Sequence, residues 1–137
     1  LPRLAERFGL AAASLVLGVV WAVWHLPLFF VRAGDTFGQS FPFYLLQVTA
    51  LSVVMAWLYW RTLGSLLLVM LLHASINNTK DIVPSAVQGA SDPLALSAST
   101  AGWLTLAVLW VVAAALLAQM RAVKGLGADL NVRTDSY

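Results

Sequence analysis

The sequence predicts an all-α protein, a polytopic membrane helix bundle with about four transmembrane helices. Composition is the first reason: of 137 residues, 61% are hydrophobic and 10% charged, with a mean hydropathy of +0.84, whereas a soluble domain carries about 25% charged residues. The second is distribution. The apolar residues form long blocks divided by short polar stretches, and a bilayer demands this because each spanning helix needs roughly 20 mostly apolar residues. The third is placement of charge: a net +2 with a pI of about 9.4 is spread singly over block ends. No basic patch results, so no nucleic-acid partner is expected. Cysteine is absent, which excludes disulfides, thiolate metal sites and a cysteine nucleophile.

In chain order, residues 1–8 place Arg3, Glu6 and Arg7 beside Leu1, Leu4 and Phe8, an amphipathic lead-in at the membrane surface. The first span, residues 9–31, is 23 residues without an acid, Lys or Arg, roughly 34 Å of helix. Ser14, Gly18 and Ala22 recur every four residues, a small-residue face for close packing. Pro27 predicts a kink or end near His25. Residues 32–40 form a polar loop, and residues 41–60 the second span, closing on the interfacial anchors Trp57, Tyr59, Trp60 and Arg61. A turn at 61–64 makes the third span, 65–79, an antiparallel neighbour. That span is short, and its second half carries His73, Ser75, Asn77, Asn78 and Thr79, a pattern that must face the bundle interior, a water-filled cavity or the surface. A polar connector, 80–100, with room for a short helix after Pro84, leads to the fourth span, 101–120, whose Ala114 and Ala118 suggest a packing face. Residues 121–137 read as a polar, mobile tail. Six of the eight Lys and Arg flank one side, so the positive-inside rule puts both ends in the cytoplasm and His25 and His73 toward the outer half of the bilayer.

Both histidines of the chain, His25 and His73, lie late in a span and each belongs to an i,i+4 pair, Trp21 with His25 and His73 with Asn77. Such spacing sets two side chains on one helix face. A polar site shared by the two pairs stands against two bland alternatives, an interfacial belt of Trp21, Trp24, Phe29 and Phe30 around His25, and separate polar insertions. Zinc hydrolysis normally needs three protein ligands, and the chain has no His-Glu-x-x-His motif and no third histidine. Neither Ser14 nor Ser75 sits in a nucleophile signature, so backbone bonding is their expected role. Addition of water to a carbonyl fits better: one imidazole orients or deprotonates water, while a second imidazole and an amide donate to the oxyanion. A buried carboxylate base is missing from these residues.

The stretches WAVWHLPLFF at 21–30 and LLHASINNT at 71–79 resemble the motifs of the CPBP intramembrane proteases, also called the Abi or CAAX-protease family. Trp21 and His25 match an aromatic-x-x-x-His motif, and His73 and Asn77 match His-x-x-x-Asn. The resemblance implies a peptidase domain over residues 1–120, in its C-terminal part, followed by the tail 121–137. It further implies that His25 works with a glutamate to activate water and that His73 and Asn77 stabilise the oxyanion, with no cofactor or metal. The family's Glu-Glu-x-x-x-Arg motif does not occur here; Glu6 and Arg7 do not match its spacing. We expect it upstream of Leu1 in a longer parent, and expect residues 1–137 alone to be inactive. Implied partners are membrane lipids and a peptide or protein substrate, either prenylated or a peptide precursor, in a bacterial or archaeal cell membrane. Processing of prenylated proteins is expected at the cytoplasmic face, which conflicts with the charge count. The competing class is a nonenzymatic membrane immunity factor, adaptor or small transporter component in which the same residues tie helices together.

Overall fold

The computed structural model describes residues 1–32, 36–79 and 92–134, of which 79 and 122–134 as backbone only. Within them the chain forms α1 (Pro2–Phe8), α2 (Leu10–His25), a 3-10 helix (Leu26–Phe30), α3 (Phe41–Arg61), α4 (Leu66–Thr79) and α5 (Thr100–Thr134). The amphipathic α1 starts on Pro2 and is separated from α2 by Gly9 at φ 81° and ψ 157°, a conformation that side-chain-bearing residues avoid. The α-helical part of the first apolar block ends at His25, two residues before Pro27, and the chain tightens into the 3-10 helix. That is where the missing proline N–H was expected to act.

Three of these helical stretches, Leu10–Phe30, Phe41–Arg61 and Thr100–Arg121, are long and apolar enough to cross a membrane. The protein is an integral membrane protein. The expected third span is instead the shorter α4, 14 residues or roughly 21 Å, less than the ~30 Å hydrocarbon core.

Helix α3 is central and packs against α2, α4 and α5. It is antiparallel to α2: the Ser52 hydroxyl donates to the Ser14 carbonyl at 2.9 Å, while at the other end of the pair Tyr44 meets His25. It is parallel to α5, with Phe43 on Trp103 at one end and the Trp57 indole N–H donating to Gln119 Oε1 at the other, 3.2 Å. Ser14, Gly18 and Ala22 are all buried, together with Ala13. A Cβ placed on Gly18 would lie 2.6 Å from Thr49 Cα, so the glycine is what lets the two backbones touch.

The face of α5 differs from expectation. Ala114 and Ala118 are exposed, and Leu106, Ala113 and Met120 are buried, with Leu109, Trp110, Leu116 and Leu117 flanking the core of Ala50, Val53 and Ala56. In a helix apolar all round, alanine spacing does not fix the phase; the larger side chains that fit α3 do. The helix also does not stop at Met120. It continues to Thr134, so most of the segment read as a mobile tail is helical. Gly125 and Gly127 each weaken a helix by only about 1 kcal/mol relative to alanine, and no proline intervenes. Residues 80–91 of the 80–100 connector, where the short helix after Pro84 was expected, lie outside the described residues, as do 135–137.

The turn between α3 and α4 is built by Thr62, whose hydroxyl donates to the Leu58 carbonyl at 2.7 Å, followed by Leu63 at φ 52° and Gly64 at φ 88°. At the opposite end, Ser40 caps α3, its Oγ accepting from the N–H of Phe43 and of Ser97, each at 3.3 Å. The Phe41 N–H donates to the Pro93 carbonyl at 2.8 Å. The stretch before α5 is thereby tied to the start of α3, beside the end of α2.

Candidate active site

His25 is the last residue of α2, and its ring turns back along its own helix. Nδ1 lies 2.9 Å from the Trp21 carbonyl oxygen. A carbonyl only accepts, so Nδ1 carries the proton, and in the neutral imidazole Nε2 is left with a free lone pair. An i,i+4 geometry at a helix end makes this bond accessible, because the last carbonyls of a helix lack their own N–H partners.

The Trp21 side chain meanwhile reaches α4. Its indole packs on His73 with ring centroids 5.2 Å apart and planes tilted 37°, and meets His25 edge-on at 6.3 Å and 62°. Trp21 thus orients both histidines, one through its backbone and the other through its ring. His73 belongs to the half-buried stripe Val69, Leu72, His73 and Ile76 of α4, the i, i+3, i+4, i+7 face that a helix turns toward its neighbours. Asn77 is one turn further and exposed. Of the three residues singled out from sequence, His25 and His73 converge on Trp21, while Asn77 stands at the rim.

The interfacial belt is only half present. Trp24 and Phe30 are exposed, but Phe29 is 1% exposed, packed T-shaped on Phe41 and Tyr44 at 5.4 and 5.3 Å. Tyr44, in the first turn of α3, was not a sequence candidate. Its ring lies 5.8 Å from that of His25. Both serines bond backbone as expected, Ser14 Oγ donating to the Ala11 carbonyl and Ser75 Oγ to the Leu71 carbonyl, each at 2.8 Å.

Among the described residues, the carboxylates stay apart from this cluster. Glu6 is on α1, separated from His25 by the 16 residues of α2, roughly 24 Å. The Asp92 carboxylate accepts from the Leu94 N–H at 2.9 Å in a local turn. Asp35 and Asp81 lie outside the described residues. Among the described residues no three His, Cys, Asp or Glu side chains gather.

A profile described as type II CAAX prenyl endopeptidase Rce1-like matches residues 1–79, more than half of the chain. The chain belongs to that family. The kinship is at the level of the CAAX-protease/Abi superfamily and assigns no catalytic subtype. The family match covers α1 to α4 and so contains Trp21, His25, Tyr44, His73 and Asn77. A curated relative, CAAX prenyl protease 2 of Methanococcus maripaludis, is 27% identical over 86 residues, which cover 58% of this chain and 32% of the relative. The chain therefore spans about a third of that protein's length. No solved structure matches.

Proposed function

We propose that this chain supplies the histidine and asparagine part of an intramembrane endopeptidase of the CAAX-processing or Abi type. The carrying observation is the pairing at Trp21: His25 keeps Nε2 free to accept a proton, and the second histidine is held against the same residue. In this mechanism a water molecule loses a proton to a glutamate while His25 Nε2 orients it. Its oxygen adds to the scissile carbonyl carbon. His73 and Asn77 donate to the oxyanion, and the C–N bond then breaks as the amine takes the proton. The glutamate belongs to a Glu-Glu-x-x-x-Arg stretch expected upstream, so the peptidase domain would be residues 1–120 together with that stretch. By analogy with the relative's name, the substrate class is a prenylated peptide; a peptide precursor is the second candidate.

The test uses the protein extended upstream through Glu-Glu-x-x-x-Arg, in proteoliposomes, with a farnesylated peptide. Since general acid–base groups contribute about 10²–10⁴-fold and an oxyanion donor about 10²–10³-fold in kcat, His25→Ala and Asn77→Ala are each expected to lower kcat by at least about 100-fold. EDTA is expected to leave the rate unchanged, because this mechanism assigns the glutamate and His25 to water and His73 and Asn77 to the oxyanion, and none of them to a metal. Cleavage by residues 1–137 alone, abolished by His73→Ala, or loss with EDTA and return with zinc, would overturn the mechanism. A parent without the upstream motif and without cleavage would leave a helix-tying, nonenzymatic role.

A further inference from the structure

We propose that Tyr44 is a positioning residue for His25, its ring holding the imidazole in the orientation that leaves Nε2 free. The inference rests on the reading of His25 as the water-orienting group, but its test does not. The imidazole is tied by one hydrogen bond, Nδ1–H to the Trp21 carbonyl, and the net contribution of a single hydrogen bond is modest. A half-turn about the last side-chain torsion would put a carbon where Nδ1 stands and present Nδ1 to the site instead. Rings bracket His25 against this motion. Trp21 stands edge-on at 62°, and Tyr44 at 5.8 Å and 45°.

Tyr44 is itself anchored. Its ring meets Phe29 at 5.3 Å and 72°, Phe29 meets Phe41 at 5.4 Å and 88°, and Phe29 is among the largest fully buried side chains. Aromatic contacts of this kind contribute beyond their area burial and prefer these edge-to-face angles. An unbroken series of rings therefore runs Phe41, Phe29, Tyr44, His25, Trp21, His73, from the start of α3 to the middle of α4. Tyr44 meets His25 through its ring, at 5.8 Å and 45°, so the aromatic ring is the part expected to matter and the hydroxyl is not.

The chain has two histidines, which makes imidazole ¹⁵N spectra readable. Uniformly ¹⁵N-histidine-labelled protein in nanodiscs at alkaline pH is compared for wild type, Tyr44→Phe, Tyr44→Ala and Tyr44→Leu, with His73→Gln used to assign the His25 signals. Wild type and Tyr44→Phe are expected to show His25 as the Nδ1–H tautomer. In Tyr44→Ala the ratio of that tautomer to the other is expected to fall about fivefold, the factor one aromatic contact carries. Tyr44→Leu keeps the bulk and the fold but not the flat ring, and shows the same loss. An unchanged tautomer in Tyr44→Leu, or a loss in Tyr44→Phe equal to that in Tyr44→Leu, refutes the proposal. In the upstream-extended protein Tyr44→Ala and Tyr44→Leu are expected to lower kcat with little change in KM. If the tautomer shifts but no cleavage exists in wild type, the protease reading fails and the positioning of His25 by Tyr44 stands.

Discussion

Replacing Gly18 by alanine tests whether α2 and α3 really touch through their backbones. The added Cβ would sit 2.6 Å from Thr49 Cα, 3.0 Å from Ser52 Cβ and 3.3 Å from Thr49 Cβ. Carbon atoms prefer about 3.5–4.0 Å, so the helices must part by roughly 1 Å at this point. Overpacking of this kind costs about 1–3 kcal/mol, and a backbone contact belongs at the upper end because no side chain can rotate away. Alanine returns about 1 kcal/mol of helix propensity. The net expectation is a loss of about 2 kcal/mol, some 30-fold in the folding equilibrium. Unfolding in detergent by SDS titration, followed by tryptophan fluorescence, reads this directly. Because the nearest atom is Thr49 Cα, the second substitutions Thr49→Ala and Ser52→Ala are expected not to restore stability. Gly102→Ala is the control: its Cβ would meet only side-chain atoms of Phe43, Ser99 and Ala98 at 3.2–3.4 Å, so its net effect stays within about 1 kcal/mol. Equal effects of Gly18→Ala and Gly102→Ala, or rescue by Thr49→Ala, would falsify the backbone contact.

Four further outcomes are expected. Ser52→Ala removes the donor to the Ser14 carbonyl and should cost about 0.6 kcal/mol, an ordinary value for an interhelical bond in a membrane, by the same titration. Trp21→Ala leaves the carbonyl that holds His25 but removes the ring against His73. Cleavage should fall, and because the indole also stands edge-on to His25 the ratio of its Nδ1–H tautomer to the other should fall about fivefold, the factor one aromatic contact carries; an unchanged tautomer would contradict the holding of His25 by rings. Leu63→Asn should stabilise by up to about 1 kcal/mol, because Leu63 is held at φ 52°, which asparagine tolerates better. The α5 packing face predicts that Ala113→Leu is destabilising by about 1–3 kcal/mol, whereas Ala114→Leu, on the exposed side, leaves the SDS midpoint unchanged.

Several features were legible in the residues because they depend on local chemistry. Ser14, Gly18 and Ala22 mark a close contact wherever the partner comes from, since only small side chains admit a second backbone. Pro27 cannot continue the hydrogen-bond ladder, so the α-helix had to yield nearby. The i,i+4 pair Trp21 and His25 was visible, and so was the polar half of α4. The ring bracket was not. Tyr44 and Phe29 read as ordinary membrane aromatics, and nothing in their own segments tells a belt residue from one turned inward. The phase of α5 escaped for a related reason: in a helix apolar on every side, periodicity carries almost no signal.

By itself, then, the amino-acid sequence determined that this chain is a membrane helix bundle, where its helices break, and which polar side chains have to find company away from lipid. Those conclusions follow from transfer free energies and from backbone chemistry, which act residue by residue. Tertiary structure decided that α5 turns its Ala113 side inward, and that His25 and His73 meet at Trp21 with Tyr44 against His25. These depend on how α2, α4 and α5 pack around α3, and a helix pair is set by complementary surfaces distant in the chain. The same Gly18 that was legible as a small residue is what brings α2 close enough to α3 for Tyr44 to reach the imidazole.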